Sequence, residues 1–194
     1  MAKPLDLPFD PIERAAAIWA RRFGPGPSAN AVPSMAAVTS IMRAQQILLG
    51  ALDALLRPYG LTFARYEALV LLSFSREGKL PLGMIGERLM VHPTSVTNTI
   101  DRLERQGFVI RQPNPADGRG RLASITPAGR TVMEKATRDL MAAEFGLSGY
   151  TEAELAQVFE LLRGLRLRAG DFAASDPASP GPASPGPGPG TESS

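Results

Sequence analysis

The sequence predicts a mainly α fold carrying one small β-hairpin, on three observations. Apolar residues recur at three- and four-residue spacing through most of 11–169. Only 108–126 departs from that period, with two alternating stretches joined by turn residues. From Ala173 onward the chain is Ala, Ser, Pro and Gly with two acids and one threonine, and a disordered tail is expected because no core can be built from it.

The helices are taken in order. Segment 11–23 places Ile12, Ala15, Ala16, Trp19 and Phe23 on one face, and the glycine-proline run 24–27 ends it. Trp19 either pins this helix to the body or stacks on a ligand. After a loop to Pro33, Ser34 is expected to cap a long helix to Arg57 with more apolar surface than one neighbour can cover. Thr62 is the next cap, opening 63–74, with Tyr66, Leu69, Val70 and Leu72 apolar and Glu67 its one acid; Gly78 marks its end. Residues 80–82, split by Pro81, allow only a short edge strand.

Residues 83–90 and the helix after His92-Pro93, joined by a tight link, have the helix-turn-helix pattern. Proline suits the first helical position because its missing N–H has no helical partner there, and Gly107 suits the left-handed C-terminal position. Val96, Ile100 and Leu103 form the core stripe, which leaves Thr94, Ser95, Thr97, Asn98 and Arg102 turned outward. The hairpin follows, with a charged tip at 113–120. Thr126-Pro127 then starts a helix to Phe145, bearing Val132, Met133, Ala136, Leu140, Met141 and Phe145. Thr151 and Glu154 have capping-box spacing for a last helix with Leu155, Val158, Phe159, Leu162 and Leu165 on its apolar side.

Composition narrows the chemistry. At 194 residues and 44% hydrophobic content the chain can bury one good core, with room for a second small lobe. It has no cysteine, which excludes disulfides, thiolate catalysis and cysteine-based zinc sites. The single histidine, His92, suits a cap or turn and allows at most one half of a catalytic dyad. No phosphate loop, nucleophile elbow or metal cluster is present, so no enzyme and no cofactor are expected. No run of 18 apolar residues exists and the N-terminus lacks a basic start, so the expectation is a cytoplasmic protein with no membrane partner.

Net charge is only +2, but 82–130 holds seven arginines against four acids, as phosphate binding requires. A helix of this length fits a DNA major groove and reads bases with its N-terminal half. Asn98 can pair with adenine, hydroxyls can reach bases or phosphates, and Arg102 can reach phosphate or an internal acid. The same small polar residues would also solvate an ordinary surface helix. The hairpin tip weighs toward DNA: Asp117, Arg119 and Arg121 lie on a glycine-flanked loop, where an acid can orient an arginine and arginine suits a narrow minor groove. A module of the same shape that binds protein instead would need apolar residues on the outer helix face.

The order of helices, the segment DRLERQGFV (101–109) and the segment NPADGRGRLASITPAGR (114–130) resemble the MarR family of bacterial transcription regulators, over 34–169. The Asp-x-Arg wing and the Leu-x-x-x-Thr-x-x-Gly pattern (Leu122, Thr126, Gly129) carry the resemblance. It implies a winged-helix homodimer on double-stranded DNA, with a repressor expected: the recognition helix in the major groove, Arg119 in the minor groove and Asp117 positioning it. It also implies dimerisation through the terminal helices, 34–57 and 127–170, around a winged lobe at 58–126. The chain then divides into an N-terminal extension (1–33), the MarR-like domain (34–172) and the tail (173–194). Trp19 on an extra N-terminal helix is similar to a urate-responsive subgroup, whose acid and one arginine match Glu67 and Arg111. Thr99 stands where that subgroup has a second arginine, so the resemblance implies a small anionic or aromatic ligand near Trp19, Glu67 and Arg111 without identifying urate.

Overall fold

Asp10 opens the first helix by accepting a hydrogen bond from the Ile12 amide at 2.8 Å, with Pro11 at the first helical position. The computed structural model in which this is seen describes residues 6–24, 26, 28–115 and 117–173, with only the backbone of 117–119. The expected tail from Ala173 therefore falls almost wholly outside the described residues. Helix α1 (Pro11–Phe23) packs along α2 (Ala31–Leu56).

The second helix begins three residues earlier than the expected cap at Ser34, whose amide instead donates to the Asn30 carbonyl at 2.8 Å within the first turn. Pro33 does not break it, because the first turn has no helical acceptors to supply and a proline there removes nothing. Of its 26 residues only Leu52 and Leu56 are buried.

Helix α3 (Phe63–Phe74) starts at Thr62, but the Thr62 hydroxyl does not cap it. Asp53 of α2 does so from a distance, accepting from the Phe63 amide at 2.7 Å. The helix stops at Ser75, and Gly78 (φ +67) lies in the turn beyond. Strand β1 (Lys79–Pro81) then leads into α4 (Leu82–Leu89), α5 (Pro93–Arg105), β2 (Val109–Asn114), β3 (Asp117–Ile125), α6 (Pro127–Ala142) and α7 (Glu152–Arg168). The three strands form an antiparallel sheet in the order β1-β3-β2, which puts Pro81 on an edge strand, where its missing N–H costs least. The core joins Leu56 of α2, Leu69 and Leu72 of α3, Ile85 of α4, Ile100 and Leu103 of α5, Val109 of β2 and Leu140 of α6. Tyr66 Oη and Thr137 Oγ1, 3.0 Å apart, link α3 to α6 at its edge.

Helix α6 ends earlier than the expected Phe145, passing into a single 3-10 turn at Glu144–Gly146. Phe145 has positive φ there, and both Met141 and Phe145 stay exposed although the apolar stripe includes them. By its own contacts Gly149–Ser194 is a separate unit from Met1–Ser148. Within it α7 has the expected capping box: Glu154 accepts from the Thr151 amide at 2.8 Å and the Thr151 hydroxyl accepts from the Glu154 amide at 3.3 Å. The carboxylate of Glu154 also accepts from the Thr151 hydroxyl at 2.8 Å, and the bonds from the Thr151 amide and hydroxyl hold it below its ordinary range.

Candidate nucleic-acid interface

Helices α4 and α5 meet through a tight turn. A Cβ on Gly86 would lie 3.2 Å from both the Val91 carbonyl and a Val96 methyl, and the Val91 amide closes the turn onto the Gly86 carbonyl at 3.0 Å. His92 caps α5, its Nδ1 accepting from the Thr94 amide at 3.2 Å, so its one available acceptor serves the helix end. At the far end Gly107 (φ +73) and Phe108 return their amides to Glu104 and Leu103, both at 2.9 Å, in a Schellman closure. Val96, Ile100 and Leu103 are buried as the spacing requires.

The opposite face of α5 is therefore fixed outward. Thr94, Ser95, Thr97, Asn98 and Arg102 are all exposed. Thr97 directs its hydroxyl proton back to the Pro93 carbonyl at 3.1 Å, which leaves its methyl and oxygen lone pair for an outside partner. The Asn98 side-chain amide and the Arg102 guanidinium have no hydrogen-bond or ion-pair partner among the described residues, and both line one open depression.

Behind the helix, Arg111 ties the hairpin to it. Strand alternation places Arg111 on the same side as buried Val109, the side that packs on α5. Its guanidinium pairs with Asp101, reaches Glu104 at 3.5 Å and donates to the Thr97 carbonyl at 3.2 Å. Glu104 also accepts from the Arg111 backbone amide at 3.1 Å. One arginine facing two carboxylates is a locked joint between α5 and the hairpin. The strands beyond it pair from Val109↔Ile125 to Pro113↔Arg121 and then slip in register at Asn114. Arg121 is exposed there, whereas the side chains of Asp117 and Arg119, and hence their expected ion pair, lie outside the described residues.

Of the expected ligand trio, Trp19 lines a depression seen among the described residues. Trp19 meets Phe23 edge-on, with ring centroids 5.8 Å apart, and lines an apolar depression of about 240 Å³ with Phe23, Gly24, Gly26, Ala31 and Val32. Neither Glu67 nor Arg111 lines it. Glu67 sits half-buried on α3, and desolvation raises its carboxyl above the ordinary range.

The Leu-x-x-x-Thr-x-x-Gly pattern resolves into a docking device. The Thr126 hydroxyl accepts from the Gly129 amide at 3.0 Å and donates to the Gly107 carbonyl at 2.7 Å, while the Thr126 amide donates to Phe108 at 3.0 Å. Helix α6 is thereby seated on the link between α5 and β2.

Residues 61–120 match the model of the MarR family. The HTH-type transcriptional regulator MhqR of Bacillus subtilis is 31% identical over 116 residues, covering 59% of this chain and 78% of that protein. The chain belongs to the MarR family. Among solved structures, the MarR family transcriptional regulator Sco5413 of Streptomyces coelicolor superposes with a TM-score of 0.69 at 67% identity, covering 73% of this chain and 98% of that one. A mutant MarR from E. coli complexed with operator DNA superposes with a TM-score of 0.59 at 25% identity, covering 66% and 91%. The protein is thus a MarR-family winged-helix transcriptional regulator, a DNA-binding protein and not an enzyme. In this MarR-family chain the outward residues of α5 are those the sequence singled out. The Arg111 joint was not read as one, although a signal existed: Asp101 and Glu104 lie one turn apart on α5, and alternation from Val109 turns Arg111 toward them.

Proposed function

We propose that this MarR-family regulator acts as a homodimer on a pseudo-palindromic operator, as a repressor, and that a small anionic or aromatic ligand releases it. The observation that supports the reading best is the outward face of α5. Its exposed hydroxyls, free amide and free guanidinium are held rigid by a buried stripe on one side and the Arg111 joint behind. Thr94, Ser95, Thr97 and Asn98 face base edges in this reading, Arg102 and Arg121 face phosphates, and Arg119, positioned by Asp117, enters the minor groove. Two copies related by a twofold axis would read half-sites about 10 bp apart.

Dimerisation is assigned to the terminal helices of the 34–172 domain. Val38, Ile41, Met42, Ile47 and Leu49 of α2 are exposed in one chain, as are Leu155, Val158, Phe159, Leu162 and Leu165 of α7. By length and composition 31–59 could also cross a membrane. We assign its apolar surface to a second protein chain, because Leu52 and Leu56 enter the protein core and Asp53 caps α3. As a regulator that must meet its DNA, the protein is placed in the cytoplasm.

Ligand release has a physical route through Glu67, Trp19 and Arg111. Arg111 is bound to Asp101 and Glu104 through its Nη atoms while its buried Nε has no hydrogen-bond partner, so an anion that recruits it competes with those carboxylates. That exchange would loosen the hairpin from α5 and disturb two DNA-contacting elements together.

The reading is tested by fluorescence anisotropy against the intergenic DNA upstream of the protein's own coding sequence, repeated with aromatic carboxylates and purines. Tight, salt-sensitive binding reversed by one of them is the expected result, and no binding at low salt would overturn it. Arg119→Ala should cost about 1 to 3 kcal/mol of DNA affinity; unchanged affinity would remove the wing contact. Asn98→Ala should relax the preference among base-substituted sites, whereas uniform weakening across them would place Asn98 on phosphate.

A further inference from the structure

We propose that a notch between the start of α3 and the middle of α5 is an additional anchor for the DNA backbone, in which Arg65 and Arg102 hold one phosphodiester between them. The inference rests on α5 being the recognition helix and adds a contact from a helix outside the helix-turn-helix pair. The notch is an open depression of about 360 Å³ lined by Thr62, Arg65, Asn98, Thr99 and Arg102. Two guanidiniums, two hydroxyls and an amide make a donor-rich surface of the kind that binds an oxyanion.

Arg65 is already aimed. Its Nε donates to the Thr62 hydroxyl at 3.2 Å, and its Nη1 donates to the Gly60 carbonyl at 2.9 Å and to Gln106 Oε1 at 3.4 Å. These bonds fix the guanidinium plane and leave Nη2 with no partner among the described residues. Burial, and then the positive charge of Arg102, lower the Arg65 pKa, so the two cations are close enough to repel. Asp53 is the acid that acts on Arg65, but its carboxylate is bound to the Phe63 amide at 2.7 Å. Arg102 has no ion-pair partner among the described residues. A phosphodiester between the guanidiniums would relieve their repulsion and give each a charge-assisted partner.

Two features favour DNA backbone over a free anion. The notch is open to solvent along one side, as a contact with a long polymer requires. Asn98 both lines it and stands on the outward face of α5, so a groove read by Asn98 brings a phosphate to its edge.

The test uses the full-length protein and a random-sequence duplex of about 30 base pairs, with binding measured from low to moderate salt. Arg65→Gln should make the log–log salt dependence shallower by about 0.9 per protomer and weaken binding roughly fivefold per protomer near 0.15 M salt. Arg65→Lys should retain most of the slope, because a point charge still neutralises phosphate. Loss of Arg65 leaves the Gly60 carbonyl with its bond from Gln106 Nε2 at 2.9 Å, so an unchanged melting temperature is expected for both variants. An unchanged salt slope in Arg65→Gln would overturn the notch assignment even if Asn98→Ala still alters base preference. Inorganic phosphate that stabilises the protein in an Arg65-dependent way, with the DNA slope unaffected, would assign the notch to a free anion and overturn it equally. Absence of any salt-dependent DNA binding by the unaltered protein would instead sink the recognition-helix reading beneath it.

Discussion

Gly129→Ala is expected to lower the stability of this protein by about 3 kcal/mol or more, the upper end of the cost of forcing an atom into a packed site. A Cβ built on Gly129 would stand 2.1 Å from the Phe108 carbonyl oxygen, 2.9 Å from its carbon and 3.1 Å from Ile125 Cγ1. The first two are backbone atoms that no rotamer change can move. Phe108 is itself held by the Thr126 amide and by its own bond to Leu103, so relief would require lifting α6 off the end of α5. Urea denaturation at fixed protein concentration reads the effect, with Ala128→Ser on the exposed neighbouring position as control. A midpoint shift no larger than the control's would show that α6 is not seated as described.

Leu162→Glu is expected to abolish dimerisation without unfolding the chain, and to weaken operator binding by about a hundredfold or more. Leu162 is exposed in the single chain, so a carboxylate there is hydrated and harmless to the protomer. In a dimer interface it would be buried without a partner charge, a penalty that exceeds the gain from the remaining apolar contacts. Two linked half-site contacts strengthen one another through effective concentration by about 10² to 10⁴, and a monomer forfeits that factor. Sedimentation velocity and anisotropy on the same sample check both parts. A variant that remains dimeric would remove α7 from the interface, and one that is monomeric yet binds DNA normally would overturn the twofold model.

The helical elements were legible because each carries its own local signals. Pro93 and Gly107 bracket α5, Thr126-Pro127 opens α6, and the Thr151–Glu154 pair opens α7; caps of this kind depend on neighbours within one turn. The outward face of α5 was legible for the same reason, since Val96, Ile100 and Leu103 define the buried stripe by spacing alone. Two helix starts were less legible. Ser34 looked like a cap, but the helix runs through Pro33 from Ala31, because a proline within the first turn deletes no helical bond. Thr62 holds the N-cap position of α3 as expected, but its hydroxyl makes no capping bond, and Asp53, ten residues away on another helix, takes the Phe63 amide.

The sequence by itself determined the order of helices and hairpin, the core stripe of α5 and the outward position of Thr94, Ser95, Thr97, Asn98 and Arg102, because helical periodicity converts spacing directly into sidedness. Only the tertiary structure decided what Arg111, Arg65 and Gly129 do. Each acts across a gap between elements: Arg111 against Asp101 and Glu104, Arg65 beside Arg102, Gly129 against Phe108. Periodicity states which way a side chain points, but the charge or atom it meets is set by how the elements pack.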